Sequence, residues 1–334
     1  MVSGPGKTSR PRILIIKMSS MGDLVHNCPL VTDLRAHFPG AIIDWVAEEP
    51  YVPIPSMHPG VNEVIPVAWR RWRKSLLSAQ TRAEICAFLG RLKSVRYDFV
   101  LDAQGLLKSV FVAHLARRDR IVGGSWTSIR EGLASCFYGQ RLLISWSRHV
   151  VDRCRAIGAG AFGYAIDTPP HYGIHAQPLV ADWLPQSPYA VLMHAASRPE
   201  KLWAEENWLS IGNALAERGT LSVFPWGNAE EKARSQRLAA RLPNAVVPPL
   251  MSLDVAAQFL AGARVVVGLD TGFTHLAAAL ARPTIGIFCD SDSVQAAVYG
   301  DAFCESFGQK GEAPGLQTIH AALERALASV ATTA

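Results

Sequence analysis

The sequence predicts two α/β domains, each a parallel sheet with helices on both faces. Short apolar runs alternate with longer amphipathic segments from one end to the other, the signature of repeated strand–helix units. One proline-rich stretch interrupts the alternation near the middle. At 334 residues, the chain also exceeds what a single core usually supports.

The first half opens with "ILII" (13–16), four apolar residues that read as a buried strand. "IIDWV" (42–46), "EVIPV" (63–67), "DFVLD" (98–102) and "RIVGG" (120–124) read the same way, with helical periodicity over 24–38, 79–94, 106–117 and 127–138. In the second half the strands are "YAVLM" (189–193), "LSVF" (221–224), "AVV" (245–247), "RVVVGLD" (264–270) and "TIGIF" (284–288). Helices are expected over 205–217, 229–241, 252–261 and 272–281. Between the halves, "DTPPHYGIHAQPLVADWLPQSP" (167–188) carries five prolines and reads as an interdomain connection. The expected division is therefore a first domain over 1–180 and a second over 181–315. A final segment over 316–334, with the amphipathic helix "LQTIHAALERALASV" (316–330), is expected to pack back on the first domain.

Composition excludes several classes. Apolar residues make up 49% and charged residues 18%, a globular balance. The formal charge of +5 suits an acidic ligand or a membrane surface but is too weak to demand nucleic acid. Six cysteines without a C-x-x-C pair argue against a zinc site and a disulfide framework, and fit a reducing compartment. The ten histidines form no H-x-x-x-H pair beside a carboxylate. "MVSGPGKTSRPR" is polar and reads as flexible, neither a signal peptide nor a transmembrane span. No G-x-G-x-x-G follows the first strand, and neither a P-loop nor a G-x-S-x-G elbow is present.

In open parallel sheets, ligands bind beyond the carboxyl ends of strands, where loops lead into helices. Three polar loops occupy such places: "KMSSMGD" (17–23), the segment from His194 to Ala204, and "DTG" (270–272). Two similar domains with such loops point to a cleft holding a two-part substrate. Asp23 has two readings: a helix cap worth about 1 kcal/mol, or a general base that Ser19 and Ser20 could orient. Position alone favours the cap, and both hold only if capping leaves the side chain unspent. Gly272 would let a ligand approach the backbone, and the N–H groups of the following helix can bind an anion. Asp270 would accept hydrogen bonds from sugar hydroxyls; the alternative is capping, with His275 an ordinary helix residue. Lys201 is a point charge suited to a diphosphate, with the Ser197 hydroxyl beside it, or else a solvated loop lysine. "RRWRKSLL" (70–77) is either a solvated basic face or an anchor for an anionic, membrane-borne acceptor.

"KMSSMGDLVH", "DWVAEE", "IPVAWRRWRK", "DAQGLLKS", "PWG" with acidic residues after it, and "GLDTGFTHLAAAL" occur in this order between about Arg12 and Phe288. Together they resemble the ADP-heptose-dependent lipopolysaccharide heptosyltransferases, inverting enzymes of glycosyltransferase family 9 with the GT-B fold. "SSMGD" with "RRWRK" is similar to the first of these transferases rather than the second. The resemblance implies two Rossmann-like domains facing across a cleft, and transfer of L-glycero-D-manno-heptose from ADP-heptose to a Kdo residue of the lipopolysaccharide inner core. It implies Asp23 as catalytic base and Lys201 at the donor diphosphate with Ser197. Glu231, chosen over Glu230 on ungapped spacing, would hold the ribose and Met251 would line the adenine pocket. Asp270, Thr271, Gly272 and His275 would meet the heptose and phosphate. Lys17, Ser19, Ser20, Arg70, Arg71, Arg73, Lys74 and Arg130 would meet the phosphorylated acceptor. No metal and no cofactor beyond the co-substrate ADP-heptose is implied. The implied setting is a cytoplasmic monomer on the inner-membrane face, with a Kdo-lipid A precursor as partner and no nucleic acid. Where the family often carries two threonines ahead of the donor lysine, this chain has Ala196 and Ser197, one hydroxyl fewer. The alternatives are the second heptosyltransferase, another transferase of this fold, or a non-catalytic nucleotide-sugar-binding protein.

Overall fold

The computed structural model describes residues 10–184 and 187–331, and the chain divides after Ile174 into two compact units. The polar amino-terminal stretch up to residue 9 lies outside the described residues.

The first unit runs β1 (Arg12–Ile16), α1 (Met21–His37), β2 (Ile42–Glu48), α2 (Pro53–Ser56), β3 (Glu63–Val67), α3 (Trp69–Trp72) and α4 (Ala79–Lys93). It continues through β4 (Arg96–Asp102), α5 (Leu107–Leu115), β5 (Arg117–Gly124), β6 (Gln140–Leu142) and α6 (Val150–Phe162). Its six strands are all parallel, in the order β3-β2-β1-β4-β5-β6. The apolar run of β1 is fully buried because helices cover both faces of the sheet. One face packs with Trp72, Phe88, Leu92, Val110, Val112 and Ala113 from α3, α4 and α5. On α6, Gly158 lies where any Cβ would overlap the Leu30 side chain of α1 and the Tyr164 hydroxyl, so this helix pair needs the bare backbone.

The second unit repeats the plan: β7 (Tyr189–Met193), α7 (Glu205–Ala216), β8 (Leu221–Val223), α8 (Ala229–Ala239), β9 (Ala245–Val246), α9 (Leu253–Ala261), β10 (Val265–Leu269), α10 (Gly272–Ala279), β11 (Thr284–Ile287), β12 (Cys304–Phe307) and α11 (Leu316–Ala331). Its parallel strand order, β12-β11-β10-β7-β8-β9, is that of the first unit. In each unit two strands follow the first on one side and three lie on the other, the doubly wound Rossmann arrangement.

All ten strands read from the sequence are present, and three expectations need correction. Residues 127–138 form two 3₁₀ turns, Trp126–Ser128 and Gly132–Phe137, rather than an α-helix. The division falls at Ile174, not 180, because the connection is already attached to the second unit: the Leu179 N–H donates to Gln258 O at 3.0 Å, and Trp183 packs on Phe259. The terminal helix belongs to the second core, not the first domain. Its Ile319, Ala322, Leu323, Ala326 and Leu327 are buried there at the spacing of one helix face. Helix α6 and strands β6 and β12 were not foreseen.

Gly158→Val is expected to destabilise the first unit by about 1–3 kcal/mol through overpacking. Gly90→Ala, on a face of α4 where a Cβ meets nothing, should instead gain about 1 kcal/mol of helix propensity. Urea midpoints that moved together would contradict this account.

Candidate active site

In the first unit the order of strands reverses between β1 and β4, so the loops after these two neighbours leave in opposite directions. The β1 loop carries Lys17, Met18, Ser19 and Ser20, with a cis Ser19–Ser20 peptide. Gln104, from the β4 loop, clamps it. Its Oε1 accepts the Met18 and Ser19 N–H groups at 2.8 and 3.1 Å, and its Nε2 donates to Ser19 O at 2.7 Å. Asp102, buried at the end of β4, shapes the second loop by accepting from the Gln104 and Gly105 N–H groups, Ser109 Oγ and Tyr138 OH. Burial pushes its carboxyl above the usual range despite these donors.

Ser20 is the N-cap of α1 and Asp23 its N3 residue. The Ser20 N–H and Oγ both donate to Asp23 Oδ2 at 2.8 Å. Oδ1 instead faces the Lys17 ammonium at 3.5 Å. Lys17, almost fully buried, also donates to Ala103 O at 2.9 Å. Burial alone would raise the Asp23 carboxyl, but Lys17, the two Ser20 donors and His26 outweigh it and hold it below the ordinary carboxylate value. Asp23 therefore caps with one oxygen and keeps the other for a second task; its side chain is 38% exposed.

Lys17 and Asp23 open into a cavity of about 200 Å³ that Arg130 and Arg153 also line. Arg153, on α6, lies over the Trp146 ring at 3.5 Å, and burial lowers the proton affinity of its guanidinium. Lys108 Nζ donates to Ser19 Oγ at 3.2 Å. Three arginine and lysine heads thus surround a loop that bears one carboxylate, a setting for a strongly anionic ligand with an exchangeable proton.

In the second unit the order reverses between β7 and β10. Lys201, from the 3₁₀ turn Pro199–Lys201 after β7, donates to Asp270 Oδ2 at 2.7 Å, and His275 Nε2 lies 3.3 Å from Oδ1. Burial would raise the Asp270 carboxyl, but His275 and Lys201 hold it far below the ordinary value. Thr271 is the N-cap of α10, and Thr274 Oγ donates to Leu269 O at 2.6 Å, which pins the helix start to its strand. Gly268 makes this possible, since a Cβ there would overlap Thr274. At the end of β8, Glu231 sits in the first turn of α8. Its carboxylate accepts the Gly227 N–H at 2.7 Å and the Asn228 amide at 2.8 Å. Met251 is half-buried between β9 and α9, and Ser197 is exposed in the β7 loop. Asp270, Thr271, Gly272, His275, Lys201, Ser197, Glu231 and Met251 therefore all come from carboxyl ends of the second sheet.

The expected acceptor residues divide. Lys17, Ser19, Ser20 and Arg130 gather with Asp23, whereas the 70–74 segment follows β3 at the sheet edge and does not line this cavity. Arg71 is spent on Glu49 and Glu84, and Arg70 lies against the Tyr51 ring; Arg73 and Lys74 are exposed. Sequence reasoning missed Arg153, because the glycines of "AIGAGAF" mask α6. It also gave no role to Gln104 or Lys108, although both lie in the quoted "DAQGLLKS". Among the described residues no three His, Cys, Asp or Glu side chains group as metal ligands would, and no helix is long and apolar enough to cross a membrane.

Glycosyltransferase family 9 (heptosyltransferase) matches residues 85–319, and the chain belongs to this family. It is 42% identical over 290 residues to lipopolysaccharide heptosyltransferase 1 of Pseudomonas aeruginosa, covering 86% of this chain and 81% of that protein. It is equally identical to the protein of the same name from Escherichia coli K12, covering 86% and 91%. The solved structure of E. coli heptosyltransferase WaaC with ADP matches at a TM-score of 0.85 and 40% identity, over 94% of this chain and 99% of that one. E. coli ADP-heptose lps heptosyltransferase II, at 22% identity and a TM-score of 0.74, shares the fold. The protein is a glycosyltransferase built from two Rossmann-like units of GT-B type.

His194, buried at the end of β7, shares a 2.8 Å hydrogen bond with Ser235, and burial with Arg234 nearby lowers its value from 6.5 to about 4. Between these values the unfolded chain binds a proton that the folded chain does not. The His194 contribution to stability should therefore be constant above pH 6.5 and be lost as pH drops toward 4, by roughly 3 kcal/mol over the whole interval. His194→Gln should flatten that slope in urea titrations; an unchanged slope would remove His194 as its source.

Proposed function

We propose that the enzyme transfers L-glycero-D-manno-heptose from ADP-heptose to a Kdo hydroxyl of the lipopolysaccharide inner core, with inversion at the anomeric carbon. The observation that carries the chemistry is the unequal use of the two Asp23 oxygens: Oδ2 is saturated by Ser20, and Oδ1 opens beside Lys17 into a cationic cavity. The acceptor and donor are supported by relatives named lipopolysaccharide heptosyltransferase 1 and by solved structures holding ADP and ADP-2-deoxy-2-fluoro heptose.

In this reading the second unit binds the donor. Met251 lines the adenine pocket, Glu231 meets the ribose hydroxyls with lone pairs left over from its capping bonds, and Lys201 with Ser197 meets the diphosphate. Thr271, Gly272 and His275 meet the phosphate and heptose, and Asp270, through its pair with Lys201, fixes the ammonium in place. The first unit binds the acceptor, whose carboxylate and phosphate groups face Lys17, Lys108, Arg130 and Arg153, with Ser19 and Ser20 beside them. Arg73 and Lys74 serve the outer part of the same anionic molecule.

As the acceptor oxygen bonds to the anomeric carbon, its proton passes to Asp23 Oδ1, and the bond from that carbon to the β-phosphate oxygen breaks. ADP leaves with the electron pair. The charge that grows on it is stabilised by Lys201 and the first N–H groups of α10. A carboxylate held at low proton affinity is a weak base, but it is fully ionised at neutral pH and sits at the acceptor hydroxyl; the transfer is late, once the attacking oxygen has become acidic. The enzyme would work as a monomer on the cytoplasmic face of the inner membrane, where such an acceptor is displayed.

Asp23→Ala should lower kcat by roughly 10²–10⁴ with ADP affinity unchanged, whereas Lys201→Ala should weaken ADP binding in calorimetry. Near-normal turnover of the first variant would leave Asp23 only its capping role. Arg153→Ala should raise the KM for acceptor about tenfold and leave ADP binding alone, as expected for one lost charge-assisted contact; an altered ADP affinity would separate Arg153 from the acceptor.

A further inference from the structure

The first unit exposes more large apolar surface than its own folding accounts for. On α5, Val110, Val112 and Ala113 turn into the core, while Leu107 and Phe111 stay 44% and 53% exposed. Beside them the 3₁₀ turn Gly132–Phe137 exposes Leu133 and Phe137 at 58% and 53%, and Trp126, whose ring covers Gly132, at 55%. These side chains form one surface. Phe137 meets the His114 ring at 6.1 Å, Phe111 meets Trp69 at 6.0 Å, and the Leu107 N–H donates to Glu131 at the foot of the turn. Five large apolar residues clustered on a soluble domain mark a contact surface.

Charge decides what the surface meets. Past the C-terminus of α5 stand Arg117 and Arg118, the latter anchored to the carbonyls of His114 and Ala116 at 2.8 and 2.9 Å. On the opposite flank Trp69 leads to exposed Arg73 and Lys74, followed by Leu76 and Leu77 at 57% and 91% exposure. Of the nearby carboxylates, Asp119 pairs with Arg96, and exposed Glu131, which accepts the Leu107 N–H, keeps its charge against the four cations Arg73, Lys74, Arg117 and Arg118. Exposed Phe, Leu and Trp between two basic flanks match the headgroup–acyl boundary of an anionic membrane. Leu106, the residue before Leu107, lines the acceptor cavity, as does Arg130, the residue before Glu131.

We propose that the face formed by α5 and the turn Gly132–Phe137 docks the first unit on an anionic bilayer, with Phe111 and Phe137 entering the acyl boundary and the flanking arginines and lysines meeting lipid phosphates. This rests on the reading above that the acceptor is borne by a lipid: a cavity one residue from the bound surface would meet sugars projecting from the bilayer.

The test uses the full chain with sucrose-loaded vesicles of phosphatidylethanolamine and phosphatidylglycerol, and with vesicles of phosphatidylcholine alone. The wild type should sediment with the anionic vesicles and remain in solution with the neutral ones. The double variant F111D/F137D should lose vesicle binding by about tenfold or more, while transferring heptose to a de-acylated, water-soluble Kdo acceptor at the wild-type rate, which also shows that it folds. Unchanged vesicle binding by the variant overturns the proposal. So does a wild type that is dimeric in sedimentation equilibrium and becomes monomeric on substitution, which would make the face a contact between two copies. If the wild type bound vesicles but gave no product with any Kdo acceptor, the proposed reaction would fail and the membrane surface would stand.

Discussion

A parallel sheet wound outward in both directions from its first strand has one place where adjacent loops part, and no backbone ladder continues there to hold them. Something else must fix the geometry of those loops. Both units solve this with a lysine, buried in the first and half-buried in the second, and a carboxylate. In the first, Lys17 spans from the Ala103 carbonyl of one loop to Asp23 at the helix that follows the other. In the second, Lys201 of the β7 loop binds Asp270 of the β10 loop. In the proposed reaction the groups that stabilise each gap are also those that would act on the ligands, so architecture and chemistry would use the same atoms.

The two carboxylates differ in what is left over. Asp270 has a partner on each oxygen, Lys201 on one and His275 on the other, which suits a residue that positions its neighbours. Asp23 has two donors on one oxygen and only a 3.5 Å ion pair on the other. At that separation the attraction persists without a tight hydrogen bond having to break before a new proton arrives. Capping thus aids the proposed base: it locks the side chain and spends only half of it.

Much of this was legible in the sequence because buried parallel strands announce themselves as unbroken apolar runs. "ILII", "YAVLM" and "VVVGL" could hardly sit elsewhere, and the polar residues that interrupt each run had to fall at a strand end. Edge elements were harder. The three residues of β6 and the half-buried β12 carry no apolar run. Helix α6 is broken to the eye by Gly158 and Gly160, which are there because α1 and Leu142 come too close for a side chain. Arg153 was lost with that helix. The terminal helix was recognised by its period but not assigned to a sheet, since an amphipathic face states that it must be covered and not by what.

Charge counting in the 70–74 segment shows a second limit of the same kind. Four cations in five residues read as one basic face, yet the fold removes Arg71 by pairing it with Glu49 and Glu84, which come from the start of a 3₁₀ turn and from α4. Glu84 also accepts the Trp72 indole N–H at 2.7 Å, so the same carboxylate buries the tryptophan and fixes the arginine that flanks it. Arg73 and Lys74, by contrast, stay exposed beside this pinned turn. Exposed pairs such as Arg71–Glu49 contribute little to stability; their effect here is on the local charge, which they lower from four unpaired cations to three.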